Sequence, residues 1–234
     1  MSHNELMAEL DRAAVANRAF MDAHGIETKE WACGQLQAKG IRVIPSDIVL
    51  PAGLKELDLS RNEIVDLRPL RVPRGVAQLS LNSNRIVDLS GLTLPEELEG
   101  LDLSGNAIVS VAGLKLPGLN PEPVLGAPAA PCGSEMWFTH GLQELDLGVN
   151  LISEMSDLCL PATLQSLGLR YNRIVDVSGL KLPEELKVLA LNNNGIEDVS
   201  QLSLPEGLAS LDLSDNNIER EEDLWLPTCC ELRI

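Results

Sequence analysis

Seven asparagines, Asn62, Asn84, Asn106, Asn150, Asn172, Asn194 and Asn216, stand 22, 22, 44, 22, 22 and 22 residues apart. Each closes the frame Leu-x-Leu-x-x-Asn, as in Leu57-Asp58-Leu59-Ser60-Arg61-Asn62. A fixed period of this size describes a stacked array, in which each unit buries its apolar face against its neighbours. The core is then drawn out along an axis rather than gathered at one centre.

The third unit shows the template. Leu101 and Leu103 alternate with outward positions, the pattern of a half-buried strand. The strands should stack in parallel, one per unit. Asn106 leaves the strand with a side chain that both donates and accepts. Repeated every unit, it lets neighbouring turns bond to one another and keeps buried backbone groups satisfied. Ile108, Val111, Leu114 and Leu116 point inward along the return path, which Pro117 closes. Proline recurs in this slot at 51, 73, 95, 161, 183, 205 and 227, where a fixed φ and a missing N–H suit extended backbone outside the ladder. Pro95-Glu96-Glu97-Leu98 and Pro183-Glu184-Glu185-Leu186 read as single helical turns. Such short units leave room only for turns and 3₁₀ pieces on the convex side.

An acidic residue follows the asparagine by four places at Asp66, Asp88, Glu154, Asp176 and Asp198, with Ser110 and Arg220 as exceptions. This column is expected to cap a turn through side-chain to backbone bonds. A ladder of metal sites would need clustered oxygen ligands around each ion, and one carboxylate per unit does not supply them.

The frame L-x-x-L-x-L-x-x-N-x-I-x-D-L-S-x-L, carried over roughly residues 48–226, resembles short leucine-rich repeats. It is similar to the protein phosphatase regulator subclass, to bacterial internalins and to the dynein-associated leucine-rich light chain. The Leu-Pro-x-x-Leu connector departs from the phosphatase-regulator pattern and is closer to that of secreted bacterial effector repeats. The resemblance implies an α/β solenoid with one parallel sheet on the concave face, and it carries over no partner-binding residue.

Residues 1–47 read as an N-terminal helical cap, 48–226 as the repeat array and 227–234 as a C-terminal end or minimal cap. Ser2-x-x-Glu5 forms a capping box before Leu6, Leu10 and Phe20, and Gly25 ends that helix. A second helix is expected from about Thr28 to Lys39. A helix pair that binds a partner is the alternative to a cap. At the other end, a 22-residue shift places Cys230 and Arg233 on core-leucine slots, so the array is expected to fail there.

The doubled spacing between Asn106 and Asn150 allows a decayed repeat or an inserted loop over 118–140. The kept register favours the first. Pro121, Pro123, Pro128 and Pro131 argue against a regular strand. Trp137 and Phe138 are candidate contact residues in either case, because long excursions from compact arrays tend to be functional.

A net charge of −17 and a pI near 4.5 argue against a basic nucleic-acid face and against attraction to anionic membranes. They bias partners towards basic or mixed-charge protein surfaces. Five cysteines lack C-x-x-C spacing, so neither a disulfide framework nor a zinc site is signalled. With no basic-then-apolar start and no 18-residue apolar run, an intracellular setting is expected, cytoplasmic, with a cytoskeletal or ciliary place as the alternative. His3, His24 and His140 fall in no nucleophile–base order, and no phosphate loop appears, so neither catalysis nor a cofactor is expected.

The strand face is the default binding surface. Asp102, Glu144 and Asp146 make an acidic patch there. Arg170, Tyr171 and Asn192 stand beside the small Gly168 and Ala190, and Tyr171 is the chain's single tyrosine. Arg and Tyr are favoured at interface hot spots. These six residues, with Trp137 and Phe138, are the candidate partner-binding set. The expected function is a non-catalytic protein-interaction module, an adaptor or regulatory subunit, acting as a monomer within a complex. The alternatives are a structural subunit of a large cytoskeletal, ciliary or organellar assembly and a bacterial effector-like repeat protein.

Overall fold

A computed structural model describes residues 15, 17–118, 141–155, 157–219 and 230–233. Eight three-residue strands form one parallel sheet in chain order: β1 Glu56–Asp58, β2 Gln78–Ser80, β3 Gly100–Asp102, β4 Glu144–Asp146, β5 Ser166–Gly168, β6 Val188–Ala190, β7 Ser210–Asp212 and β8 Glu231–Arg233. The middle residue of each of the first seven strands, Leu57 through Leu211, is buried, and so are the second leucines Leu59 through Leu213. They form a leucine column along the axis with Ile64, Ile86, Ile108, Ile152, Ile174 and Ile196 behind it.

The asparagines bind the units together as their spacing requires. Asn84 Nδ2 donates to Leu81 O in its own unit and to Leu59 O in the unit before, each at 2.9 Å. Its Oδ1 accepts from Ile64 N at 3.0 Å. The same three bonds recur at Asn106, Asn150, Asn172, Asn194 and Asn216. One side chain per unit thus satisfies three backbone groups at the point where the strand ends and the ladder would otherwise lose them.

The return path is two hydrogen-bonded turns per unit, with no 3₁₀ or helical turn there among the described residues. Leu98 N bonds to Pro95 O, Leu186 N to Pro183 O and Leu92 N to Leu89 O. The single helical turns expected after proline, and the 3₁₀ pieces, are therefore plain hydrogen-bonded turns; the next leucine must enter the core at once, which leaves no room for a helical turn. The acidic column caps as expected. Arg68 N, Ser90 N, Ser178 N and Ser200 N donate to Asp66, Asp88, Asp176 and Asp198, and Ala112 N donates to Ser110 Oγ in the same role.

The doubled spacing is one step of the sheet. β3 pairs directly with β4, Gly100 with Glu144 and Asp102 with Asp146, and Asn150 Nδ2 reaches Leu103 O at 3.1 Å. No strand position lies between them, so the preference for a decayed repeat gives way to an insertion; residues 119–140, with Trp137 and Phe138, lie outside the described residues. The far end differs too. β8 pairs with β7 after 21 residues, so Leu232, not Arg233, stands opposite Leu211, and Arg233 takes the outward place opposite Asp212.

The array starts earlier than expected, and the expected capping box at Ser2 and Glu5, with Leu6 and Leu10, lies outside the described residues. The described helices are α1 Arg18–Ala23 and α2 Thr28–Ala32. The first turn of α2 is closed by a reciprocal box between Glu27 and Glu30. Trp31 is buried under the first repeat, with Phe20 edge-on to it at 6.2 Å. The expected continuation of α2 to Lys39 is replaced by a partial repeat. Gln35 bridges to Asp58, Leu36 is buried, and Asn62 Nδ2 donates to Leu36 O at 2.9 Å. Lys39 occupies the asparagine slot of this unit, and its ammonium turns back to Glu30 at 2.7 Å.

Asn150→Ala should lower stability by about 3 kcal/mol, because Ile108 N loses its acceptor and Leu103 O and Leu147 O each lose one of two donors around a buried side chain. Urea unfolding beside Asn84→Ala checks it: equal losses are expected if the step across the insertion is an ordinary one.

Candidate functional site

Strand alternation decides which side chains reach the outer face. With the central leucine turned inward, the residues on either side of it in each triplet point outward. From β1 to β6 they line a trough of about 490 Å³, whose wall includes Glu56, Asp58, Asp102, Glu144, Asp146 and Arg170.

Four of the sequence-derived candidates, Asp102, Glu144, Asp146 and Arg170, meet here. Asp102 and Asp146 lie directly opposite each other on β3 and β4, an arrangement that like charges disfavour. Each carboxylate is held by donors. Asp102 accepts from Ser104 N at 2.9 Å, Ser104 Oγ at 2.6 Å and Asn82 Nδ2 at 2.7 Å. Asp146 accepts from Gly148 N at 2.8 Å and from Arg170 Nη2 at 3.4 Å. The bond to the residue two places on recurs from Asp58 to Ser60 and from Asp212 to Ser214. Aspartate at this position therefore closes the strand's last turn, a structural role that composition alone did not reveal.

Glycine decides where these side chains lie. A Cβ at Gly168 would sit 2.7 Å from Asp146 Oδ1, and one at Gly148 would sit 3.0 Å from Arg170 Cγ. The two glycines let Asp146 and Arg170 fold across neighbouring strands towards each other. Gln78 lies over Gly100 in the same way and occupies the space a Cβ would fill. Arg170 is thus tied to the acidic patch rather than forming a separate basic site. Glu144 is exposed on the same strand as Asp146.

Tyr171 is placed differently. It is about half exposed at 52% and has a φ of 53°. The residue before each ladder asparagine is left-handed in all seven repeats, at Arg61, Ser83, Gly105, Val149, Tyr171, Asn193 and Asp215. Tyrosine and valine are poor occupants of that region, where Gly, Asn and Asp pass easily. Tyr171 and Val149 hold exposed, adjacent positions in successive units, at the rim beyond the trough's end. Asn192 is half-buried beyond β6, and its backbone carbonyl accepts from Tyr171 N at 2.9 Å.

Outside the trough, Asp66 is held down to about 2 by its bonds with the Arg68 side chain and backbone. Asp88 and Asp176 are also lowered by bonds with Ser90 and Ser178. Among the described residues no group of three or more His, Cys, Asp or Glu is placed to hold a metal, and no helix is long and apolar enough to cross a membrane. His24 Nδ1 lies 3.2 Å from Lys39 O inside the cap. Cys230 is half-buried, and burial pushes its thiol up.

Residues 162–204 match the family described as Leucine Rich repeats (2 copies). No curated protein matches the chain by sequence. Among solved structures, internalin C2 of Listeria monocytogenes is similar with a TM-score of 0.62 and 23% identity, over 94% of this chain and 96% of that one. Another Listeria monocytogenes internalin follows with a TM-score of 0.58 and 22% identity, over 83% and 51%. YopM of Yersinia enterocolitica matches with a TM-score of 0.56 and 25% identity, over 85% and 39%. The fold is a leucine-rich-repeat solenoid of the kind the internalins show.

Tyr171→Asn should hold or raise thermal stability, by up to about 1 kcal/mol, because asparagine accepts the left-handed backbone more easily. A melting curve that falls by several degrees would mean that the tyrosine ring packs structurally. The capping column makes a second expectation. A carboxylate with a lowered folded pKa contributes stability that is present above the unfolded value and lost as pH falls towards the folded one. For Asp66 that window runs from the ordinary aspartate value, near 3.8, down to about 2. Asp66→Asn should flatten the acid limb of stability in that range, as followed by thermal melts against pH.

Proposed function

We propose that this leucine-rich-repeat solenoid is a non-catalytic protein-binding module, an intracellular adaptor or regulatory subunit that takes its partner on the strand face. The preformed trough carries the proposal. The Asp102 and Asp146 carboxylates are already fixed by bonds to the turns, and Arg170 by its pair with Asp146, so little ordering of these groups is needed on binding. The carboxylates of Asp102, Glu144 and Asp146, in a chain of net charge −17, suit a basic or mixed-charge protein segment. Tyr171 at the rim would supply an amphipathic contact, with Arg170 and Asn192 beside it. Trp137 and Phe138 are proposed to add a contact from the insertion.

A structural subunit is the second reading, and one observation favours it. Val65, Val87 and Val109 form an exposed apolar column in successive units, away from the trough. A bacterial effector-like protein is the third, supported by the likeness in fold to bacterial proteins.

The test removes charge without removing the turn caps. Asp102→Asn, Glu144→Gln and Asp146→Asn together keep an acceptor oxygen at each position. The triple variant should fold normally and lose the wild-type partner by at least about tenfold in affinity, with a weaker salt dependence. Quantitative affinity capture from native lysate would compare it with Val87→Ser/Val109→Ser. Loss in the valine variant alone would transfer the function to the outer flank.

A further inference from the structure

Asn194 is followed by Gly195, the single Asn-Gly pair in the chain. In an open chain this is the pairing in which the backbone nitrogen most readily attacks the preceding side-chain amide, since glycine hinders neither the approach nor the rotation. Here the asparagine is also a rung of the ladder. We infer that Asn194 is a deamidation site gated by folding: inert while the repeats are stacked, reactive once they part, and unable to restack after reaction.

The folded geometry pins both reacting groups. Gly195 N, the attacking atom, donates its hydrogen to Ile174 O at 2.9 Å. On the other side, Asn194 Oδ1 accepts from Ile174 N at 3.1 Å, and Nδ2 donates to Leu169 O at 3.0 Å and Leu191 O at 2.9 Å. Attack needs Gly195 N to lose its proton and the amide to turn over it, and these four bonds oppose both movements. When the units separate, the bonds to Ile174 and Leu169 go together.

The reaction balances with water alone. Gly195 N bonds to Asn194 Cγ, Nδ2 leaves as ammonia, and water then opens the ring imide to aspartate or isoaspartate. Aspartate at 194 has no hydrogen to offer Leu169 O and Leu191 O, and it sets a carboxylate against those two carbonyls. Isoaspartate also lengthens the backbone by one methylene and shifts the register of the next unit. Either product removes one of the two donors on each carbonyl, leaving Leu169 O with Asn172 Nδ2 alone and Leu191 O with Asn216 Nδ2 alone, and the aspartate product puts an acceptor where a donor stood.

Nothing in the fold requires glycine there. Gly195 is not left-handed, and an added Cβ would meet only ordinary contacts, Val175 Cγ2 at 3.5 Å and Ile174 O at 3.7 Å. The third repeat carries Ala107 in the equivalent place. The reactive pair is thus separable from stability.

The test incubates the full chain folded and in denaturant, in one mildly alkaline buffer at one temperature, and follows each asparagine by peptide mapping with isoaspartate quantitation. Asn194 should lead in the unfolded sample and react at least about a hundredfold more slowly in the folded one, because only the opened fraction is exposed. Gly195→Ala should slow the unfolded reaction and leave the melting temperature unchanged. Asn194→Asp, which mimics one product, should melt lower than wild type or fail to refold. A folded rate equal to the unfolded one, a different asparagine leading in denaturant, or an Asn194→Asp variant as stable as wild type would each overturn the inference.

Discussion

A parallel sheet whose strands are three residues long cannot hold itself together through strand pairing alone. Each strand ends almost as soon as it begins, and the backbone beyond it still carries N–H and C=O groups that are shut away from water. The ladder asparagine supplies what is missing: two carbonyls, one in each of two units, and the isoleucine N–H of the unit before. The leucine column provides most of the apolar burial, yet leucines are tolerant of sliding. The amide bonds are not, and they fix the step from one unit to the next. The array's continuity past a 22-residue excess between Asn106 and Asn150 follows from that, because Asn150 finds Leu103 and Ile108 as if nothing intervened.

The outer face inherits its character from the same economy. Turn closure at the strand ends uses aspartate at 58, 102, 146 and 212, so the negative trough is partly a by-product of building the turns. This separates two properties that a simple charge reversal would confuse. Removing an aspartate removes both a cap and a charge, whereas asparagine removes only the charge. It also explains why Arg170 does not stand alone: Gly148 and Gly168 clear the space in which it turns to Asp146.

Much of this was legible because the period is rigid. Once Leu-x-Leu-x-x-Asn is aligned, which residues face the core, which line the trough and which asparagine bonds its neighbour all follow from alternation. The left-handed slot before each asparagine was not legible, since Arg, Ser, Gly, Val, Tyr, Asn and Asp fill it and no glycine column betrays it. The partial repeat at 34–44 hid behind a 23-residue offset and a lysine in the asparagine place. The last strand was missed because its spacing is 21, which put Arg233 rather than Leu232 on the core slot and made the array read as failing there. The diagonal contacts of Arg170 with Asp146 and of Gln78 over Gly100 depend on what the neighbouring unit lacks. A column read one unit at a time does not show that.

Native-state hydrogen exchange at Ile64, Ile86, Ile108, Ile152, Ile174 and Ile196 tests the central claim most directly. Each of these amides donates to an asparagine side chain rather than to another backbone group. The account predicts that all six are protected as strongly as the strand amides, with Ile108 equal to its neighbours across the insertion. Fast exchange at these amides alongside protected strands would contradict it, because the ladder would then be an ornament on a stack held by leucines.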